Sequence, residues 1–453
     1  MRDAALRPNG LDLLALHERH PERYPILLES VSGAGPLGRH DVLLALPGER
    51  LVLTPGAELA GDSQHAPGRF LDALDAWWQR ERTPASGGDV PFESGWFLYL
   101  GYELAAQIEP TLRLPRSRFP TAIAWRMRGA VIRDCGTGEV RVVGEPGHLE
   151  ALRQQVRCDL EVVARDGAAS SHKPQLITHQ TVEQEPGIFT VGVRSALAAI
   201  GRGDVYQANL SRPWRATLAP TVRAADLYRA LRTANPAPFA GIAQLGEFVV
   251  LSSSPERLLR IEGSIASTRP IAGTRPRGLD AATDASLVLE LQLNEKERAE
   301  HVMLVDLERN DLGRICRAGT VRVDEYMTIE TYATVHHIVS NVCGELRDDV
   351  TPGQAIAAVF PGGTITGCPK VRCMQLLAEF ERTPRDAYTG SMGYLGTDGS
   401  LDLNILIRTL MVHGSEIEFR TGAGIVADSQ PDAELAETRA KARGMLRALG
   451  GES

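Results

Sequence analysis

Short stretches in the first third of the chain alternate apolar and polar positions and are broken by Pro and Gly. Residues 41–46, 50–54 and 138–143 are the clearest, and they predict antiparallel strands joined by hairpin turns. Between them, residues 70–80 and 148–164 repeat apolar side chains at helical spacing. Residues 165–174 are small and polar, include Ser170-Ser171, and read as a linker between a segment 1–165 and a segment 175–453. Beyond it the pattern predicts an amphipathic helix at 185–201, a buried strand at 248–252 and one long acidic helix at 287–305. Strands are expected at 334–342, 391–394 and 415–421. The last helix has a distinct start: Ser429 stands three residues before Asp432 as a candidate capping box, and Pro431 falls in the first turn, where its missing N–H does no harm. Strands and helices in this order, without regular βαβ alternation, predict an α+β fold.

Composition narrows the partners more than the fold. The 453 residues are 43% hydrophobic and 23% charged, enough for a large buried core. A formal charge of −8 without a long basic run argues against nucleic acid or an anionic membrane as partner. No apolar run approaches the roughly 18 residues that span a bilayer, and Met1-Arg2-Asp3 does not open a secretory signal. The six cysteines (135, 158, 316, 343, 368, 373) are scattered, with no C-x-x-C pair and no zinc-like His cluster. A cytoplasmic protein with reduced, mostly buried thiols is expected.

Several segments carry candidate chemistry. Glu297/Glu300 and Glu434/Glu437 are glutamates three residues apart on two separate predicted helices, so each pair shares a helix face. Facing each other, the pairs would suit a hard cation such as Mg²⁺, although an isolated E-x-x-E is most often a solvated face. Lys441 continues the second face one turn on, as a contact for a carboxylate or as an ion-pair partner of Glu437. Gly422-Ala423-Gly424 precedes the last helix and could bring backbone N–H groups close to an anion. Phe360 to Lys370 is a glycine-rich turn with hydroxyls. Alternation in the 334–342 strand points one of His336 and His337 inward and the other outward. An inward imidazole can move a proton. Glu256 ends a buried strand, a common place for a working carboxylate. Finally, Thr268 to Gly278 packs three arginines, two prolines and two glycines around Ala272.

Taken together and in order, Ser254-Pro255-Glu256, PIAGT at 270–274, E-x-x-E-H at 297–301, Val305 to Asp311, His337, FPGGTITG-x-PK at 360–370, Ile407-Arg408-Thr409 and GAGIVADS at 422–429 resemble the chorismate-binding enzymes. The group includes anthranilate synthase component I, aminodeoxychorismate synthase component I, and the isochorismate and salicylate synthases. The resemblance covers about residues 185 to 447 and is looser before that. It implies the chorismate-utilising fold, with antiparallel β-sheets packed in a sandwich and helices outside. It implies that Glu300 and Glu437 hold Mg²⁺ against the ring carboxylate of chorismate, with Glu297 and Glu434 in support. Arg408, Tyr388, Lys441 and the Gly424 backbone would grip the enolpyruvyl carboxylate, and Thr274 and Thr364 would complete the pocket. Glu256 and His337 would move protons at the reacting ring edge.

The same resemblance separates the chemistries. Water-using relatives carry a lysine base where this chain has Gln207, and the covalent subclass carries a lysine where this chain has Ala272. Both substitutions point to free ammonia. Ammonia implies a separate glutamine amidotransferase subunit in a heterodimer, because this chain has no cysteine-histidine glutaminase motif. Ala272 resembles anthranilate synthases. Gly363 with Ile365-Thr366, the 206–210 and 335–340 segments, and Gly38-Arg39-His40-Asp41-Val42 are similar to the aminodeoxychorismate branch, which is the expectation here. Leu27-Leu28-Glu29-Ser30 matches the segment that binds tryptophan in feedback-inhibited anthranilate synthases, so Leu28, Glu29 and Ser30 mark a possible tryptophan pocket. It lacks the T-P-V-S segment expected upstream.

Overall fold

The structure, a computed structural model, describes residues 11–31, 38–62, 68–84, 89–166, 175–332 and 335–451. Residues 167–174 of the expected linker and Thr334 lie outside the described residues.

Fourteen strands follow one another in a single antiparallel hydrogen-bonded order. The order starts with Gln207–Thr217, Glu416–Ile425, Thr409–His413, Phe248–Ser254 and Phe239–Gln244. It continues through Ile26–Glu29, His40–Leu53, Ala122–Asp134 and Gly95–Leu100. It closes with Ser391–Gly396, Leu401–Asn404, Arg257–Glu262, Ile265–Arg269 and Val335–Glu345. Two of these pairings, Ile26–Glu29 on Phe239–Gln244 and Gly95–Leu100 on Ser391–Gly396, join strands from before residue 165 to strands from after residue 175.

The strand order folds back on itself, and the period-2 alternation of the strands separates the layers. Ile26, Val42, Leu44, Phe97, Tyr99, Ile123, Phe248, Val250, Met392 and Met411 form the core between the two sheet faces. Their sequence neighbours point the other way. Leu27, Leu43, Val249, Leu251 and Leu410 pack under the helices Ala224–Ala234 and Pro431–Ala448. Trp96, Leu98, Leu100, Ala122 and Ala124 pack under Phe70–Glu81 and Pro352–Val359. This is the expected α+β sandwich with helices outside. No helix among the described residues is long and apolar enough to cross a membrane. All six cysteines are free, and Cys316, Cys343 and Cys373 are buried.

Four expectations need correction. Residues 41–46 and 50–54 are two halves of one strand, His40–Leu53, because both pair with the same partner, Ala122–Asp134. The Pro47-Gly48 pair makes an irregularity between Pro47 and Arg50 instead of a hairpin. The 287–305 helix is two helices, Ala281–Leu293 and Glu295–Gly313, parted at Asn294, whose backbone is extended (φ −67°, ψ 105°). The last helix starts after Gln430, not Ser429; the Ser429 hydroxyl instead accepts a hydrogen bond from the Val426 N–H at 3.0 Å. Lastly, His336 does not point out to solvent. It is buried, because Asp284 of the helix Ala281–Leu293 and Thr331 cover that face and hydrogen-bond its two ring nitrogens, each at 2.9 Å.

Candidate functional site

Three backbone segments meet around Glu256. The Ile405 N–H donates to the Glu256 carbonyl at 3.0 Å, the Ser253 N–H donates to the Arg408 carbonyl at 3.1 Å, and the Thr389 N–H donates to the Leu406 carbonyl at 2.8 Å. These bonds tie the end of the Phe248–Ser254 strand to the turns at 385–390 and 405–408. Asp386, Thr389 and Arg408 in those turns all have positive φ, between 51° and 61°. Non-glycine residues rarely hold that conformation, and it concentrates where side chains must be aimed. Tyr388, Arg408 and Glu256 are thereby fixed to one another.

Glu256 is buried, and its Oε1 has no hydrogen-bond partner. Burial pushes its carboxyl up to about 7, against the opposing pull of Thr364, the Ile271 amide, Arg408 and Lys441. The Thr364 hydroxyl is likewise buried without a partner. The Arg408 guanidinium makes no ion pair among the described residues, and burial lowers its pKa while Glu256 raises it. A half-buried arginine without a carboxylate ion-pair partner is a ready anion site.

His337 enters from the strand Val335–Glu345. Its Nδ1 shares a 2.9 Å hydrogen bond with the Thr274 hydroxyl, and its Nε2 is buried with no partner. Burial first, and then Arg408, hold the imidazole down at about 3, so it is neutral at ordinary pH. Thr274 reaches it because the strand Ile271–Pro276 bulges between Ala272 and Thr274 at Gly273. Gly273 has φ +71°, and a Cβ there would stand 2.7 Å from Glu297 Oε2 and 2.8 Å from Leu291. Only glycine satisfies both the conformation and the space. Ala272 itself is buried and pairs with Ile338.

The two glutamate pairs lie on helices that approach the Gly422–Gly424 stretch. Gln207 Nε2 donates to Glu300 Oε1 at 2.8 Å, and a Cβ on Gly424 would lie 2.6 Å from that same Nε2 and 3.8 Å from Glu300 Oε1. Glu297 Oε1 accepts from Arg275 at 2.7 Å, while its Oε2 is buried without a partner. Glu437 pairs with Lys441 at 2.7 Å, and Lys441 also donates to the Gly422 carbonyl at 3.1 Å. Glu434 is pushed up by burial and by the neighbouring Glu437, with Ser429 pulling the other way. Among the described residues no three His, Cys, Asp or Glu side chains are gathered as a ready-made metal cluster. The donor set still fits a hard cation that keeps several waters. It offers carboxylate oxygens only, one of them an orphan, and a like-charged pair that a divalent ion would relieve.

The Leu27-Leu28-Glu29-Ser30 segment lies elsewhere. Glu29 accepts from the Tyr228 hydroxyl at 2.7 Å and pairs with Arg232 at 3.0 Å, and the Ser30 hydroxyl is buried without a partner.

Three residues of the site escaped the sequence reading. Asn209 places a buried, unpartnered Oδ1 2.8 Å from where a Cβ on Gly422 would be, beside the Tyr388 hydroxyl at 2.6 Å. Arg275 steers Glu297. Glu308 is a buried acid on the stripe Leu304, Val305, Leu312 of its helix, beside the buried Asp311, and that stripe was readable as a helical period interrupted by carboxylates.

Residues 40–447 match the family described as chorismate binding enzyme. The chain belongs to the chorismate-binding enzymes. It is 49% identical over 261 residues to aminodeoxychorismate synthase component 1 of Bacillus subtilis, covering 58% of this chain and 55% of that one. It is equally 49% identical over 261 residues to anthranilate synthase component 1 of Thermus thermophilus, covering 58% and 56%. The crystal structure of anthranilate synthase component I from Streptococcus pneumoniae superposes with a TM-score of 0.80 at 29% identity, over 99% of this chain and 100% of that one. As a chorismate-binding enzyme of the anthranilate synthase I and aminodeoxychorismate synthase type, the chain acts on chorismate.

Proposed function

We propose that this enzyme aminates chorismate to 4-amino-4-deoxychorismate, using ammonia delivered by a glutamine amidotransferase subunit. The observation that carries amination is Gln207. Where water-using relatives have a lysine base, this amide is held on Glu300 at 2.8 Å and cannot take a proton from water. Ala272 offers no nucleophile, so ammonia supplies both attacks. The first ammonia bonds to C2 as the C4 hydroxyl departs as water, giving bound 2-amino-2-deoxyisochorismate. A second then bonds to C4 and expels the first. Glu256, with its carboxyl near 7, is half protonated at neutral pH and gives its proton to the leaving hydroxyl. The neutral His337, braced by Thr274, accepts a hydrogen bond from the incoming ammonia through its free Nε2 and orients it for attack, and the proton shed by the new ammonium centre passes to a further ammonia. Arg408, with Tyr388, Lys441 and the Gly424 amide, holds the enolpyruvyl carboxylate. Mg²⁺ held by Glu300 and Glu437, supported by Glu297 and Glu434, would fix the ring carboxylate and withdraw charge from the ring.

The product choice rests on the turn at 360–370. A Cβ on Gly363 would stand 2.4 Å from Leu307 Cδ2 and 2.7 Å from Cγ, so the alanine typical of anthranilate synthases does not fit unless Leu307 moves. The second reading is anthranilate synthase, favoured by Ala272 and by the Thermus relative. Incubating the purified chain with chorismate, Mg²⁺ and ammonium and weighing the products distinguishes them. The expected product is 4-amino-4-deoxychorismate, and omission of Mg²⁺ abolishes turnover. Anthranilate and pyruvate as the only products would overturn the first reading in favour of the second.

A further inference from the structure

Behind Glu256, on the side of the 360–370 turn, lies a second buried acid. Glu308 is 5% exposed and is carried on the helix Glu295–Gly313. Its charged surroundings come from three elements: Asp311 on its own helix, Lys370 at the start of the helix Lys370–Glu381, and Glu256 beyond the Phe248–Ser254 strand. Arg314 faces Asp311. Among the described residues the one ammonium acting on Glu308 is already committed, since Lys370 Nζ donates to Asp311 Oδ2 at 2.5 Å and to the Val359 carbonyl at 3.2 Å. Lys370 and Arg314 are both drawn to Asp311, so Glu308 has no ion-pair partner among the described residues and keeps a proton. Burial, followed by the Asp311 charge, pushes Glu308 up accordingly. The route toward Glu256 runs along the 363–364 backbone. Glu308 Oε1 lies 3.5 Å from where a Cβ on Gly363 would stand, and the next residue is Thr364, whose unpartnered hydroxyl leans on Glu256. A second unpartnered hydroxyl, Thr268, flanks Glu308.

We propose that Glu308 is the proton store for Glu256, returning a proton to it from the face away from substrate after each departure of the C4 hydroxyl. The transfer conserves protons at every stage. The Glu308 carboxyl gives its proton to the Thr364 hydroxyl oxygen, directly or over one water, as that hydroxyl passes its own proton to the Glu256 carboxylate. Glu308 is then reloaded with a proton from solvent. The route lets Glu256 recharge while substrate seals its other face.

This inference rests on Glu256 acting as proton donor, and Glu256→Gln tests that premise separately. With ammonium as nitrogen source, Glu308→Gln should lower kcat at least about tenfold and move the pH profile of kcat. KM for chorismate should stay within about twofold, because Glu308 holds no part of the substrate. Glu308→Asp should recover part of the loss, and Glu256→Gln/Glu308→Gln should be no slower than Glu256→Gln alone. If Glu256→Gln turns over normally, the premise fails. If Glu256→Gln is dead while Glu308→Gln keeps both kcat and pH profile, only the proton store fails. Should Glu308→Gln not fold, Glu308→Asp decides: an unchanged kcat and profile overturns the proposal, and a lowered kcat with shifted profile at unchanged KM supports it.

Discussion

Glu256 shows how burial sets a residue's chemistry. Its carboxyl is raised from 4.5 to about 7, first by desolvation. A group raised in the folded state contributes stability that is full below its unfolded value, here about 4.5, and lost as pH climbs through about 7. Glu256→Gln cannot ionise, so at pH 8 the variant should be more stable than the parent by up to on the order of 3 kcal/mol, a gain that vanishes near pH 4. Urea melts at the two pH values check this, and equal differences at both would rule out a buried, raised carboxyl. The parent's kcat should fall above about pH 7 as the acid form is lost. Gly424 makes the complementary point about space. A methyl there would stand 2.6 Å from Gln207 Nε2, so Gly424→Ala should break the Gln207–Glu300 bond and raise KM for chorismate about tenfold or more. Steady-state kinetics measure it, and an unchanged KM would remove Gly424 from the substrate's surroundings.

At the scale of elements, the break at Asn294 does what a continuous helix could not. Its side chain accepts from the Glu297 N–H at 3.0 Å, capping Glu295–Gly313, while its own N–H closes the preceding helix on the Glu290 carbonyl at 3.0 Å. Glu297 thus falls in a first turn, where the helix dipole favours a carboxylate, and faces Arg275 and Gly273. Asn294→Ala should cost about 1 kcal/mol in denaturant unfolding and raise the Mg²⁺ concentration needed for half-maximal rate. A loss of stability without any change in metal dependence would leave the cap a purely structural feature. The break was missed from sequence because Leu287 to Val305 keeps helical spacing on both sides of it. A single residue with extended ψ does not disturb a periodicity averaged over several turns.

For the whole molecule, the decisive contacts link distant parts of the chain. Ile26, Val42, Leu44, Phe97 and Tyr99 cover Phe248, Val250, Met392 and Met411 in one shared core. Residues 175–451 expressed alone should therefore expose that apolar layer and aggregate or fail to fold, and the intact chain should unfold in one calorimetric transition. Two separated transitions would argue that the segments are independent. The α+β class, the helices at 70–80, 148–164 and 185–201, the glutamate pairs, Glu256, His337 and the absence of a lysine at Gln207 and Ala272 were legible in the chain itself. Each is carried by local periodicity or by residue identity. Other features were decided only by tertiary structure. They include the joining of 41–46 to 50–54, the burial of His336, the lone guanidinium of Arg408 and the closeness of Glu308 to Glu256. The physical reason is the same throughout. Strand pairing, desolvation and charge pairing depend on which residues far apart in sequence are brought within a few ångströms, and local pattern carries no record of that distance.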